Sequence, residues 1–396
     1  MIIGVPREIK DYENRVSLTP RSVSSLVMSG TKVIVESHAG DRSGFADEEY
    51  ATAGAQLASS AADLYAGSDL VVKVKEIQVS KREHELLRPR HTIFGFNHFE
   101  SNRELTDAAV RSKATFISFE KVVDQNGQTP LLMPMSRIAG AVAGIWAGFI
   151  HNFAFRHDKS VRLKAGSDEV RSKFIDGFDH IMNDNGTVNG DLRRTLSIQD
   201  KMTVIFGGGT VGEMAAKVCS ALGAKVTIIE KRDARRKFLQ ELNLPRSSVA
   251  ASAEHDVLRS AHIMVGATYD REKADRMVDE KTLKEVSESR KKIIIDVSVD
   301  QGGNFPYLDQ FGNYSPASTG SIMNPAQADY FGNICVRVPN IPSIVPRYAS
   351  SALSGIVSDY LKDIAGGVRR PDVERAIGIR NGKIVDGAIL KAHRIK

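Results

Sequence analysis

The chain has 396 residues, of which 42% are hydrophobic and 26% charged, with a formal net charge of +6. That length suits two domains with sizeable cores, and the scattered lysines and arginines read as a solvated surface with no nucleic-acid partner. The two cysteines, Cys219 and Cys335, fit neither a metal spacing nor a disulfide framework, which points to no metal and to the reducing cytoplasm.

The N-terminus, MIIGVPREIK, is a strand followed by charge and not a signal peptide. Residues 2–5 read as a buried strand. Thr19 and Pro20 then mark a helix start, with Thr19 as N-cap and Pro20 at the first helical position. Residues 33–36, 70–74, 92–96 and 115–119 continue a series of strands with helical patterns between them. This alternation predicts an α/β fold, a parallel sheet with helices on both faces. The first half carries no glycine-rich phosphate loop and is read as a substrate domain. After a turn at 124–127, Ser136 is the expected N-cap of an alanine- and glycine-rich helix running to about 151, the hinge into a second domain. Its most apolar run, 138–150, is too short to span a bilayer, so no membrane partner is expected. Residues 156–200 are polar, with a helical middle over 167–183 and a turn-rich end, and read as an extra surface helix or a partly disordered insertion.

The next stretch organises the chain. An apolar run at 203–206 is followed by Gly207, Gly209 and Gly212 in the spacing G-x-G-x-x-G, a helical pattern, a second apolar run at 226–229, and Glu230. Strand, turn, helix, strand and terminal acid in that order are the context a dinucleotide fingerprint requires. Gly207 permits the tight turn, Gly209 lets a pyrophosphate approach the backbone, and Gly212 lets the helix pack close to the sheet. Glu230 stands near the spacing expected of an acid that binds the adenosine ribose hydroxyls. It disfavours a 2′-phosphate, so NAD is expected ahead of NADP, although Lys231 and Arg232 offer cations to such a phosphate. Further strands at 263–265 and 292–299 follow, the second leading to Asp300. A proline-rich crossing at 339–346 and a long amphipathic helix over 348–365 complete the chain.

Outside the fingerprint, Arg15, Lys75, His98 and Asp300 each lie near the end of a predicted strand or in the loop after it, where ligands of open parallel sheets bind. Lys73 and Lys75 close one strand and share a face. A guanidinium can clamp a carboxylate, a second cation can polarise a carbonyl or imine, and an imidazole can exchange protons near neutral pH. Singly, each of these residues has an ordinary structural explanation; together with a dinucleotide fold they suggest hydride transfer on a 2-oxo or 2-amino acid.

MIIGVPREIKDYENRVSLTP, HAGDRSGFADEEYATAGAQL, DLVVKVKE, PLLMPMSRIAG, GGGTVG and IIIDVSVDQGG resemble, in order, the motifs of the alanine dehydrogenase family. The resemblance implies two Rossmann-like domains, with the nucleotide domain (136–332) inserted into a discontinuous substrate domain (1–135 and 333–396). It implies that Arg15 binds the substrate carboxylate, that Lys75 contacts the substrate, that His98 is the acid–base residue and that Asp300 is catalytic. It also implies that Met135 and Ser136 at the hinge, and Asn340 in NIP, approach the cofactor. The chain departs from the family pattern at Arg137, where an acid is usual, in 156–200, and in the loop 269–273. FEKVVDQNG and IPSIVPRYAS are more similar to the related saccharopine dehydrogenases and lysine–oxoglutarate reductases. The family forms hexamers partly through segments this chain replaces, so a smaller homo-oligomer stays open. The sequence is therefore read as that of a NAD-dependent amino-acid dehydrogenase working on an amino acid and its 2-oxo acid. A saccharopine-type reductive condensation and a catalytically silent dinucleotide-binding module are the alternatives.

Overall fold

The computed structural model describes residues 1–154, 177–268, 275–299, 302–306 and 327–395. They form two compact units, Met1–Met135 with Val345–Lys396, and Ser136–Ile344.

In the first unit, β1 (Ile2–Val5), β2 (Lys32–Glu36), β3 (Gln56–Ala58), β4 (Leu70–Val72), β5 (Thr92–Gly95) and β6 (Thr115–Ser118) run parallel in the order 3-2-1-4-5-6. Their inner residues, among them Ile3, Val71, Ile93 and Phe116, are buried, as the strands of a covered parallel sheet must be. The strand order reverses between β1 and β4. That reversal carries the crossovers to opposite faces and marks the carboxyl ends of these two strands as the place where such a sheet binds ligands. β4 stops at Val72 and does not reach residue 74. The reason is Glu8, whose Oε1 accepts the Val74 amide at 2.6 Å and the Lys75 amide at 3.3 Å, so a carboxylate takes amides that would otherwise pair along the sheet. Thr19 occupies the cap of the helix Pro20–Met28, with Pro20 in its first turn, but its hydroxyl turns to Ser354 Oγ and caps nothing.

In the second unit, β7 (Met202–Phe206), β8 (Lys225–Ile229), β9 (Ser247–Ala250), β10 (Ile263–Gly266), β11 (Ile293–Asp296) and β13 (Asn333–Arg337) are parallel in the order 9-8-7-10-11-13. β12 (Gln327–Tyr330) closes the edge antiparallel to β13. This sheet also reverses, between β7 and β10. The chain does not return to the first unit after residue 332, contrary to what its sequence suggests. β13 pairs Ile334, Cys335, Val336 and Arg337 with Ile293–Asp296 of β11, and the division falls after Ile344. In the first unit the sheet is completed instead by β14 (Ile377–Arg380), antiparallel to β6, and β15 (Lys383–Ile384), antiparallel to β14.

The helix expected to start at Ser136 spans Met133–Ala154. Pro134 falls in its first turn, where a missing N–H costs nothing. Its glycines serve a close approach: a Cβ on Gly140 would lie 2.2 Å from Val211 O, and one on Gly144 2.6 Å from Val218 Cβ. The helix therefore lies directly against the helix Thr210–Ala221 that follows the glycine turn. Met133–Asn152 is long and apolar enough to cross a membrane by length and composition, contrary to the expectation from 138–150, but 78% of its most apolar window is buried in the protein, as in a core helix. Of the predicted helix over 167–183, residues 177–183 are helical and the remainder lies outside the described residues.

Candidate active site

The glycine turn leaves β7 at Gly207, whose φ of +96° is one that glycine adopts without strain. A Cβ there would lie 2.5 Å from Ala267 O, at the end of β10, and one on Gly212 would lie 1.8 Å from Gly207 O. The protein itself thus requires both glycines. Gly209 differs: it caps the helix Thr210–Ala221 in an extended conformation, and a Cβ on it would meet nothing within 4 Å. Its missing side chain leaves space at a helix N-terminus, where amide N–H groups and the helix dipole favour phosphate. The residues fit a dinucleotide pyrophosphate. Gly209→Ala is accordingly expected to leave the thermal midpoint within about 1 °C, while NADH binding weakens about tenfold or more, about 1.4 kcal/mol. Fluorescence titration beside a melting curve checks both halves.

Glu230 directly follows the neighbouring β8 and is buried. Its carboxylate accepts the Gly208 amide at 3.1 Å, the Arg232 amide at 2.9 Å, and Arg232 Nε and Nη2 at 2.9 and 2.8 Å. Burial pushes this carboxyl up, but the Arg232 guanidinium and the amides outweigh it and hold it at about 2. Lys231 turns away to Asp275 at 3.2 Å.

On the first unit, Arg15 sits in the loop after β1, 3% exposed, and its plane is fixed by Glu13: Nε donates to Oε1 at 2.7 Å and Nη2 to Oε2 at 2.6 Å. Nη1 faces Met135 Sδ at 3.0 Å. The loop is tied down on both sides, by Val16 N to Ser350 Oγ at 3.0 Å and Ser17 Oγ to Val72 O at 2.8 Å. Lys73 and Lys75 have separate tasks. Lys73 is wholly buried between Glu8 (3.3 Å) and Glu83 (2.7 Å). Lys75 acts on Glu76: burial raises that carboxyl, but Lys75, then Lys10 with its 2.6 Å hydrogen bond, and also His98, bring it down to about 2. His98 stands three residues beyond β5, in the left-handed region at φ 48°, and its ring stacks on Phe96. Its amide donates to Glu120 Oε1 at 2.8 Å, and Nδ1 lies 3.9 Å from the same oxygen. β1, β4 and β5 are neighbours, so the loops bearing Arg15, Lys75 and His98 leave one stretch of the sheet edge.

Glu76 and Glu230 both have carboxyls lowered from an ordinary 4.5 to about 2. A lowered carboxyl adds stability above the unfolded value, and that stability is lost as pH falls through the folded one. Resistance to urea is expected to decline from pH 4.5 towards 2, and the Glu76→Gln/Glu230→Gln protein should decline less steeply over the same range.

Of the expected cofactor contacts, Met135 is in the first unit against Arg15, and Ser136 falls in the first turn of its helix, half-buried. Asn340 adopts φ 56° and its carbonyl accepts the Ser343 amide at 2.9 Å, opening the turn Ile341–Ile344. Asp300 and the loop 269–273 lie outside the described residues. The anchor before Asp300 is described. Asp296 accepts the amides of Ser298 at 3.0 Å and Asn304 at 2.7 Å, and the Asn304 side chain reaches across to accept the Thr268 amide at 3.0 Å. The loops after β10 and β11 are thereby joined. Glu13, Glu8, Glu76, Glu120 and Asn304 all went unnoticed in the sequence. Glu13 stands within the same motif as Arg15 and Glu76 directly follows Lys75, and an acid beside a proposed substrate cation was the available signal.

Among the described residues one trio brings metal-ligand atoms together, the half- to fully exposed His38, Asp41 and Asp47, whose groups bond each other: His38 Nδ1 to Asp41 at 3.0 Å, and the His38 amide to Asp47 at 2.8 Å.

The family model of the alanine dehydrogenase/PNT N-terminal domain matches residues 4–139, and that of the C-terminal domain matches 178–391. An alanine dehydrogenase of Methanococcus maripaludis is 30% identical over 403 residues, covering 99% of this chain and 96% of that protein. One from Bacillus subtilis is 32% identical, covering 92% of this chain and 86% of its own length. A solved L-alanine dehydrogenase superposes with a TM-score of 0.75 at 29% identity, covering 100% of this chain and 99% of that one. A transhydrogenase from Sinorhizobium meliloti shares the fold, with a TM-score of 0.73 at 20% identity and coverage of 98% and 100%.

Proposed function

The chain belongs to the alanine dehydrogenase/PNT family, and we propose that it interconverts alanine with pyruvate and ammonia, using NAD. One observation supports this above the others. The loops after β1, β4 and β5, at the point where strand order reverses, carry a fixed guanidinium, a lysine and an imidazole.

Gly207, Gly209, Gly212 and Glu230 hold the dinucleotide, with Met135, Ser136 and Asn340 towards its reactive end. When bound, the nicotinamide supplies the hydride chemistry. Arg15 takes the substrate carboxylate. Glu13 grips the Nε edge of its guanidinium, so the substrate is met on the Nη1 side, where one neighbour is the Met135 thioether, a weak acceptor that a carboxylate outcompetes. Lys75 polarises the carbonyl of the oxo acid. In the oxidative direction a hydride leaves Cα and the amine becomes an iminium. Water then adds to Cα, with His98 taking its proton; His98 returns that proton to nitrogen, and as the C–N bond breaks the hydroxyl proton passes to the departing ammonia, which leaves as ammonium with the 2-oxo acid formed. Asp300 steadies the iminium charge and orients the water.

The test is NADH oxidation with pyruvate or 2-oxoglutarate, each paired with ammonium or lysine. Pyruvate with ammonium is expected to be the fastest pair. Preference for 2-oxoglutarate with lysine would replace this reading with a reductive condensation. No turnover with any pair, while NADH binds, would reduce the chain to a dinucleotide-binding module.

A further inference from the structure

Arg232 stands where a dinucleotide's adenosine ribose is selected. Glu230 directly follows the second strand of the nucleotide sheet, the position from which an acid ordinarily accepts the ribose hydroxyls and repels a 2′-phosphate. Here that carboxylate is occupied and neutralised. Arg232 spans it with Nε and Nη2, and the amides of Gly208 and Arg232 complete four hydrogen bonds. The Arg232 side chain is 61% exposed against 4% for Glu230, so the cation and not the carboxylate presents itself to solvent. The surrounding cations have other partners. Lys231 pairs with Asp275, Arg235 with Glu213, and Arg236 and Lys237 with Asp233.

We propose that Arg232 makes this site accept NADPH as well as NADH, by meeting the 2′-phosphate with its guanidinium while cancelling the charge of Glu230. The inference rests on the dinucleotide reading above and adds the second cofactor. A guanidinium suits a phosphate through paired N–H donors, and its partner carboxylate, already held by two amides, keeps ligands when the arginine turns outward. NADH calls for the same release with no phosphate to receive the guanidinium: the ribose hydroxyls reach Glu230 only when Arg232 gives way. Arg232 therefore acts on the two cofactors in opposite directions.

The experiment is fluorescence titration of the full-length protein with NADH and with NADPH, without substrate. A bare carboxylate facing a phosphate separates the two by about a hundredfold or more. The wild-type protein is expected to bind them within about tenfold of each other. In Arg232→Ala the Kd for NADPH should rise at least tenfold, while that for NADH holds or falls. In Glu230→Gln, NADH should weaken and NADPH should not. Wild-type discrimination of a hundredfold against NADPH, or an Arg232→Ala protein with an unchanged ratio, overturns the proposal and leaves the NAD reading intact. Failure to bind either dinucleotide overturns both.

Discussion

Replacing His98 with alanine is expected to lower kcat for pyruvate amination by about 10²–10⁴-fold, the usual contribution of a positioned acid–base group, with NADH affinity unchanged. The imidazole is held in one place, as the proposed role requires. Its residue adopts a left-handed conformation directly after β5, its amide is fixed on Glu120, and its ring stacks on Phe96. The ring nevertheless keeps 39% of its side-chain surface exposed, so a substrate can reach it. Steady-state rates with saturating NADH, beside an NADH titration, separate proton transfer from binding. A rate within threefold of wild type would remove His98 from the mechanism.

Lys73→Met is expected to damage the fold more than the chemistry. Lys73 is wholly buried between Glu8 at 3.3 Å and Glu83 at 2.7 Å, and Glu83 also accepts from the Tyr65 hydroxyl at 2.9 Å. One cation here serves two carboxylates. Burial pushes the Glu8 carboxyl up to about 7 even with Lys73 beside it. Without the lysine both acids are stranded, a loss of about 3–5 kcal/mol. For a unit of this size that lowers the thermal midpoint by roughly 6–20 °C. Glu8 also holds the amides of Val74 and Lys75, so the lysine proposed to contact substrate should lose its anchor and the KM for pyruvate should rise. A melting curve with a midpoint within 2 °C of wild type would contradict this account of the buried trio.

The sequence made the central strands of both domains visible, because runs such as 33–36, 203–206 and 263–265 are mainly apolar and bounded by turn signals; the short, more polar edge strands Gln56–Ala58 and Ser247–Ala250 carry no such signal. The glycine turn was equally plain: Gly207 and Gly212 answer to local geometry that a few residues specify. What stayed hidden depends on contacts between distant residues. Nothing in the sequence near Lys73 distinguishes it from Lys75; only Glu8 and Glu83, brought in by folding, make one lysine structural. The clasp on Arg15 is local, but its meaning depends on Met135, 120 positions away in the chain. The expected boundary after residue 332 cuts off β13, because nothing local in 333–337 says which sheet it joins, and its pairing with β11 decides that. Arg232 was noticed as a possible phosphate cation, while its grip on Glu230 emerged only in three dimensions.

The most direct measurement is the fate of the hydride. The protein is incubated with NADH deuterated at the transferring C4 position, pyruvate and ammonium, and the product is examined by NMR. Alanine carrying deuterium at Cα is the result this account predicts. NADH consumed without deuterated alanine, or left unconsumed while bound to the protein, would contradict it.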